Sequence, residues 1–365
     1  MNLFRKNRNY KVPVPNSKVD ERDAMFSRMD RRPNTEAYND YYHTNPSLRK
    51  KDDHIRSMPP LLHKNGKYYE KGLFKKAGEF FDSIDNIHIG EKIIDKYLRL
   101  FDNHSSINKI IKKITLDLGA VAVGCTDLEQ QFIYSHKGRF DTNYGNIIDL
   151  NHPNIIVFLV EMDYSRIQNA PKADTIFESA NQYYKAAYIS KVIEKLIIKL
   201  GYQAKAHYDA NYDVILPPLA IKAGLGELGR NNILIADKYG SRVRIGAIST
   251  DLPLKYDLPI SLGANKFCKV CKKCADNCPS KALSMNGKSN IRGIYKWETN
   301  VEKCYTIWRK YGTDCGICMA ICPYSHKNNI LHNVIRKFVK YFPFLNRTMV
   351  FLDDIIYGKK WKIKN

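Results

Sequence analysis

The chain has 365 residues, with 59 Lys and Arg against 37 Asp and Glu, a net charge of +22. That length suits roughly two to three domains, and a 44 % hydrophobic content is enough for a core, which excludes wholesale disorder. No apolar run is long enough for a membrane-spanning helix. The opening Met1-Asn2-Leu3-Phe4-Arg5-Lys6 carries no apolar segment. Pro33-Asn34-Thr35-Glu36 follows Arg31-Arg32, where a twin-arginine export signal needs an apolar stretch. The chain is expected to stay in the cytoplasm.

Residues 1–75 are polar and punctuated by Pro13, Pro15, Pro33, Pro46, Pro59 and Pro60. They read as an extended arm that wraps the body or stays partly disordered. From about residue 90 the pattern becomes globular. Ile107, Ile110, Ile111 and Ile114 are spaced for a helix over Ile107 to Leu118. Strands are predicted at Ala120–Val123 and Ile155–Val160. A long helix from Thr175 to Leu200 follows, ended by Gly201. Its Ile189, Ile193, Leu196, Ile197 and Leu200 share one face. After the loop His207 to Asp213, a short helix is predicted at Leu219–Ala223, then strands at Ile233–Ala236 and Val243–Ser249. This alternation predicts an α/β or α+β fold.

Gly224-Leu225-Gly226-Glu227-Leu228-Gly229 matches G-x-G-x-x-G. A nicotinamide fingerprint needs a strand before it and a helix after it. Here a helical stretch with two prolines precedes and a strand follows. Turn glycines, or close backbone approach to another bulky cofactor, fit better.

Eight of the nine cysteines lie between residues 268 and 322. The order is Cys268-x2-Cys271-x2-Cys274-x3-Cys278-Pro279, then Cys304, then Cys315-x2-Cys318-x3-Cys322-Pro323. Disulfides do not suit a cytoplasmic chain. Zinc takes Cys-x2-Cys pairs. The complete first run, however, is the pattern of a bacterial two-cluster ferredoxin, whose fourth Cys serves the other cluster. Two [4Fe–4S] clusters are therefore expected. One is assigned to Cys268, Cys271, Cys274 and Cys322, and the other to Cys278, Cys304, Cys315 and Cys318. Cys125, in an apolar stretch, reads as a buried structural thiol.

Ala223 to Arg230, Gly240-Ser241-Arg242-Val243-Arg244 and Thr250-Asp251-Leu252-Pro253-Leu254 precede this double motif. That order resembles the corrinoid-dependent reductive dehalogenases and the related epoxyqueuosine reductases. The arm segments Val19 to Met29, Tyr41-Tyr42 and Asp52 to Pro59, with Asp353 to Gly358 near the end, are similar to the dehalogenases. The resemblance covers nearly the whole chain. It implies a nitroreductase-like core holding a base-off corrinoid (cobalamin), beside a ferredoxin-like domain. The expected division is an arm over 1–90, a corrinoid-binding domain over 91–260, the cluster domain over 261–330 and a basic aromatic tail over 331–365. The tail could lie on an anionic membrane face or fold back on the body; the latter is expected.

By resemblance, Tyr183 takes the place of the family's proton-donating tyrosine, eighteen residues ahead of Gly201-Tyr202. Arg244 is the basic residue expected to stabilise its phenolate and lower its pKa. Asn211 takes the place of the dehalogenases' active-site Asn, and Gly224, Gly226 and Arg230 are candidates for contact with the corrinoid. The loop departs from the dehalogenase pattern: it is two residues longer. Its Tyr208-Asp209 is closer to the Val-Asp of the epoxyqueuosine reductases, which makes Asp209 a candidate acid.

The leading expectation is an oxidoreductase that removes halide from an electrophilic small molecule. A low-potential donor such as ferredoxin or flavodoxin would supply the electrons. Epoxyqueuosine-like reduction is the alternative, and a two-cluster electron carrier without corrinoid is another. A charge of +22 suits RNA, yet a Lys-, Ile- and Asn-rich composition produces the same charge, so nucleic acid is not the expected partner.

Overall fold

A computed structural model describes residues 12–102, 106–139 and 143–363. The reading of the first residues as free of an export signal lies outside them.

The polar N-terminal segment is helical where an extended arm was expected. It forms α1 (Met25–Asp30), α2 (Glu36–Thr44) and α3 (Pro46–Ser57). Helices this short are marginal alone and need tertiary partners. The partners are buried charges beside small apolar clusters such as Met25, Met29, Ile55 and Tyr305, which is why periodicity did not reveal them. Arg28 is 4 % exposed and Asp52 fully buried. Arg28 Nη2 meets Asp52 Oδ1 at 2.5 Å, and Arg28 Nη1 meets Glu302 Oε1 at 2.8 Å. The Tyr42 hydroxyl donates to Asp52 Oδ2 at 2.7 Å. The two arm segments that look like the dehalogenases thus pair with each other and clamp onto the cysteine-bearing region.

Next come α4 (Lys71–Ser83), α5 (Glu91–Leu98) and α6 (Ile107–Asp117). Strand β1 (Ala122–Asp127) starts two residues later than expected, and β2 (Asn154–Glu161) contains the expected run. Then follow α7 (Tyr164–Ile167), α8 (Ala173–Lys199), β3 (Ala204–His207), α9 (Leu216–Lys222), β4 (Gly226–Leu228), β5 (Leu234–Ala236) and β6 (Val243–Thr250).

The central sheet has the order β1-β2-β6-β3, and every neighbouring pair is antiparallel. Alternate residues of β2 face opposite sides. Ile156, Phe158 and Val160 join one core cluster with α8 side chains such as Ile189, Ile193 and Ile197. Ile155, Val157 and Leu159 join a second with Phe132, Leu219 and Leu225. A strand covered on both faces reads as one continuous apolar run. The long helix ends at Gly201, whose φ is +90°. Tyr202 N–H donates to the Ile197 carbonyl and Gly201 N–H to that of Ile198, the Schellman arrangement.

The cysteine-bearing region holds α10 (Ala264–Cys271), α11 (Lys273–Asp276), the hairpin β7 (Ser289–Ile291) and β8 (Ile294–Lys296), α12 (Val301–Tyr311) and α13 (Ile317–Ala320). The tail forms α14 (Ile330–Tyr341) and α15 (Asn346–Tyr357). It folds back: buried Lys273 pairs with Asp353 and, at 3.0 Å, with Asp354. Trp361 Nε1 donates to the Ala170 carbonyl at 2.8 Å. Among the described residues no helix is long and apolar enough to cross a membrane.

Candidate active site and iron–sulfur region

Short turns bring the cysteines together. Lys272, at φ +54°, breaks α10 from α11, so Cys271 and Cys274 turn towards one point. Cys268, Cys271, Cys274 and Cys322 line one small void, with Phe267 and Tyr324 beside them. Cys274, Cys278, Cys304 and Cys318 pack in another cluster of contacts. Cys315 lies within electrostatic reach of Cys304 and Cys278.

Burial, and then the neighbouring Cys322, pushes the Cys268 thiol up to about 12. Burial likewise pushes Cys315 up to about 12, with Cys304 and Cys278 adding to it. Thiolates crowded this way need a cationic centre among them. Among the described residues, no three His, Cys, Asp or Glu side chains are placed to hold a single metal ion. Cys125 is 1 % exposed, and burial pushes it up to about 12 as well.

A cavity of about 440 Å³ opens beside the second set of cysteines. Tyr183, Asp209 and Arg244 all line it. Tyr183 comes from α8, Arg244 from β6, and Asp209 from the loop after β3. Phe26, Tyr305 and Trp308 supply aromatic lining. The Phe26 ring stands edge-on to Tyr305 at 5.6 Å between centroids. Helix α12 carries Cys304 as well as Tyr305 and Trp308, and Asp314 immediately precedes Cys315. The cavity wall and the second cysteine set are therefore built from the same backbone.

Arg244 is fixed by geometry. Its guanidinium carbon lies 4.8 Å from the centre of the Tyr183 ring. Its Nη2 donates to Ser179 Oγ at 2.5 Å and to Asp314 Oδ2 at 3.1 Å. Ser179 Oγ also bonds Asp314. Ser179 stands four residues before Tyr183 on α8 and so shares its face. Burial would lower the Arg244 pKa, but Tyr183, Asp314 and Asp209 together raise it.

The Tyr183 pKa moves opposite to expectation. Burial pushes it up to about 12, and Arg244 offsets only part of the rise, while Asp209 and Asp314 add to it. The phenol is fully protonated at neutral pH. Burial also raises the Asp209 carboxyl, opposed by Arg139 and Arg244. Arg139 itself pairs with Asp30 at 2.9 Å.

The remaining candidates do not line this cavity. Asn211 is exposed and donates through Nδ2 to the Tyr208 hydroxyl at 2.9 Å, because the longer loop turns back on itself through a Tyr208–Asn211 bridge. Gly224 has φ +77°, and a Cβ there would meet the Leu258 carbonyl at 2.5 Å. A Cβ on Gly226 would meet the Ile235 carbonyl at 2.3 Å. These glycines admit neighbouring backbone, and β4 pairs with β5 as a hairpin with no helix following. Arg230 is 2 % exposed and donates to the carbonyls of Cys268, Ser284 and Asn286 at 2.8–3.0 Å. It braces the first cysteine loop.

Sequence reasoning missed Ser179, Asp314, Arg139 and Trp308. The i, i+4 spacing to Tyr183, and the position of Asp314 beside a cysteine ligand, were the available signals.

The spacing and placement of these cysteines define a two-cluster iron–sulfur domain. Residues 267–326 match the 4Fe-4S dicluster domain family. The chain's homologues are reductive dehalogenases and epoxyqueuosine reductases, all of them oxidoreductases. It is 30 % identical over 283 residues to a tetrachloroethene reductive dehalogenase of Desulfitobacterium hafniense, covering 65 % of this chain and 51 % of that one. Against that of Sulfurospirillum multivorans it is 31 % identical over 231 residues, covering 61 % and 46 %. An epoxyqueuosine reductase of Lactococcus garvieae is 33 % identical over 146 residues, 38 % of each chain. The structure of a catabolic reductive dehalogenase in complex with 3-bromo-4-hydroxybenzoic acid superposes with a TM-score of 0.73 at 22 % identity, over 97 % of this chain and 49 % of that one. The chain thus has the dehalogenase fold. It spans about half the length of the curated relatives it matches.

Proposed function

We propose that the protein is a corrinoid and iron–sulfur reductase that removes halide from a small organohalide. The observation that carries this is the convergence of Tyr183, Asp209 and Arg244 on one cavity whose wall shares helix α12 with Cys304. The cavity wall leaves polar atoms for a polar-edged cofactor to meet. Arg244 Nε, Arg309 Nε and Asp314 Oδ1 are buried there without a hydrogen-bond partner. Such atoms cost stability unless a bound group meets them.

When bound, a corrinoid supplies a strongly reducing cobalt centre, and two low-potential clusters supply its electrons. The chain's own residues do the rest. Tyr183 holds a proton on its phenol Oη until the product carbon needs it. Arg244, locked by Ser179 and Asp314, faces the ring and stabilises the phenolate left behind. Phe26, Tyr305 and Trp308 exclude water, so the proton comes from a fixed donor. A volume of about 440 Å³ is in the range of small-molecule sites.

Cytoplasmic location, a ferredoxin or flavodoxin donor and the division at residues 90, 260 and 330 belong to the same proposal. A second reading, epoxyqueuosine-like reduction, rests on Asp209, not Asn211, reaching the cavity.

The test is halide release by anaerobically purified, corrinoid-loaded protein across halogenated phenols and alkenes. Wild type should release halide, and Tyr183→Phe should lose at least about 10²-fold in kcat with its iron content unchanged. Equal rates in both proteins would remove Tyr183 from the chemistry. No halide from any substrate, with turnover of an epoxyqueuosine stem-loop, would favour the second reading.

A further inference from the structure

The void lined by the first cysteine set shares Arg230 and Lys272 with a second opening, which has no lining residue in common with the Tyr183 cavity. A recess of about 530 Å³ is lined by Lys269, Lys272, Lys288, Arg230, Tyr295 and Trp297. Lys269 follows Cys268 and Lys272 follows Cys271, so two of these cations are tied to the cluster loop by sequence. Of the cysteines lining the adjacent void, Cys271 and Cys274 are half-buried whereas Cys268 and Cys322 are buried.

No carboxylate lines the recess. Among the described residues neither Lys269 nor Lys272 makes a side-chain hydrogen bond or ion pair. Lys288 caps the Trp297 ring at 4.5 Å and bonds only the amide of Asn265. Burial, and then Lys269, lowers its pKa. Concentrating like charges is unfavourable unless an anionic partner compensates it. Tyr295, at 67 % exposure, and Met285, at 43 %, sit at the same place. An apolar and aromatic patch ringed by lysines is the composition of a transient protein interface.

We propose that this recess is the docking surface for an acidic one-electron carrier protein, which approaches the cysteine loop at Cys271. The inference rests on the two-cluster reading. Its partner is chosen by charge: the lysines face outward unpaired, and a low-potential carrier with an acidic rim around its redox centre complements them. One electron leaves the carrier at each encounter. Two encounters supply the electron pair that, with a proton from the Tyr183 cavity, replaces a carbon–halogen bond with a carbon–hydrogen bond and releases halide.

The test uses the full chain with its clusters reconstituted and an acidic bacterial flavodoxin as probe. Binding of oxidised flavodoxin is titrated at low and high salt, and cluster bleaching by reduced flavodoxin is followed by stopped flow. The expected result is binding that weakens at least about tenfold in Lys269→Glu/Lys272→Glu, with most of the salt dependence gone. Bleaching by flavodoxin should slow in parallel, while bleaching by reduced methyl viologen should not slow. The milder Lys269→Gln/Lys272→Gln, which leaves the fold undisturbed, should show the same direction with a smaller change. Wild-type affinity and salt dependence in both variants would overturn the proposal and leave the two-cluster reading intact. A wild-type chain that takes up no iron would remove both.

Discussion

The two openings that flank the cysteines treat charge in opposite ways. Around Tyr183 two of the three arginines have a carboxylate beside them: Arg244 holds Asp314 and Arg139 holds Asp30, while Arg309 donates to the Met58 carbonyl. In the recess lined by Lys269, Lys272 and Lys288 there is, among the described residues, no lining carboxylate. A buried cation without a counter-ion is costly, so a site closed over a substrate must neutralise its own charges. A half-open recess keeps its cations hydrated and can hold them for a partner. The difference separates a place where a proton is kept from a place where a charged surface is received.

Breaking the neutralised side should have the larger effect. Asp314→Ala leaves Arg244 without its carboxylate in a setting where its side chain is 13 % exposed. The expected loss is about 3–5 kcal/mol of stability, read from urea unfolding of the anaerobic protein. The loss of kcat already expected for Tyr183→Phe comes next. Its wild-type counterpart should show no decline in rate from phenol ionisation up to about pH 9, because burial holds that group near 12. A basic limb near neutrality that disappears in Tyr183→Phe would contradict this.

The loop that carries Asp209 gives a pH test of intermediate size. His207 is fully buried between Ser249 Oγ, at 2.9 Å, and the Asp213 N–H. Burial lowers its pKa from 6.5 to about 3. Over that window the unfolded chain binds a proton that the folded chain refuses, so stability falls as pH drops from 6.5 towards 3. His207→Gln should flatten that part of the stability profile, as measured by thermal melts at several pH values. On the unpaired side the effect on the fold should be smallest. Lys269→Gln should change stability by no more than about 0.5 kcal/mol, and a larger loss would mean that the lysine supports the loop.

How much of this was legible in the sequence depends on what carried the signal. Cysteine spacing is set by the ligand chemistry, and Cys268, Cys271, Cys274 and Cys322 line one void together. Strand β2 and helix α8 were legible because continuous and 3.6-period burial each leave a pattern. Helices α1 to α3 were not, because ion pairs such as Arg28–Asp52 stabilise them and such pairs have no period. The candidate site was half legible. Tyr183, Asp209 and Arg244 come together, whereas Asn211, Gly224, Gly226 and Arg230 serve a turn, a hairpin and the cluster loop. Their motifs fix local backbone but not which cavity it faces. Arg139 and Asp30 were out of reach, since each is far in sequence from the group it neutralises, whereas Asp314 was marked only by standing beside Cys315.

The most direct measurement is iron and cobalt per chain, with EPR of protein purified anaerobically from a corrinoid-supplied host. About eight irons and one cobalt, with a base-off Co(II) signal, is the predicted result. Iron without cobalt, even after reconstitution with added cobalamin, would contradict the account and leave an electron carrier whose Tyr183 and Arg244 only pack.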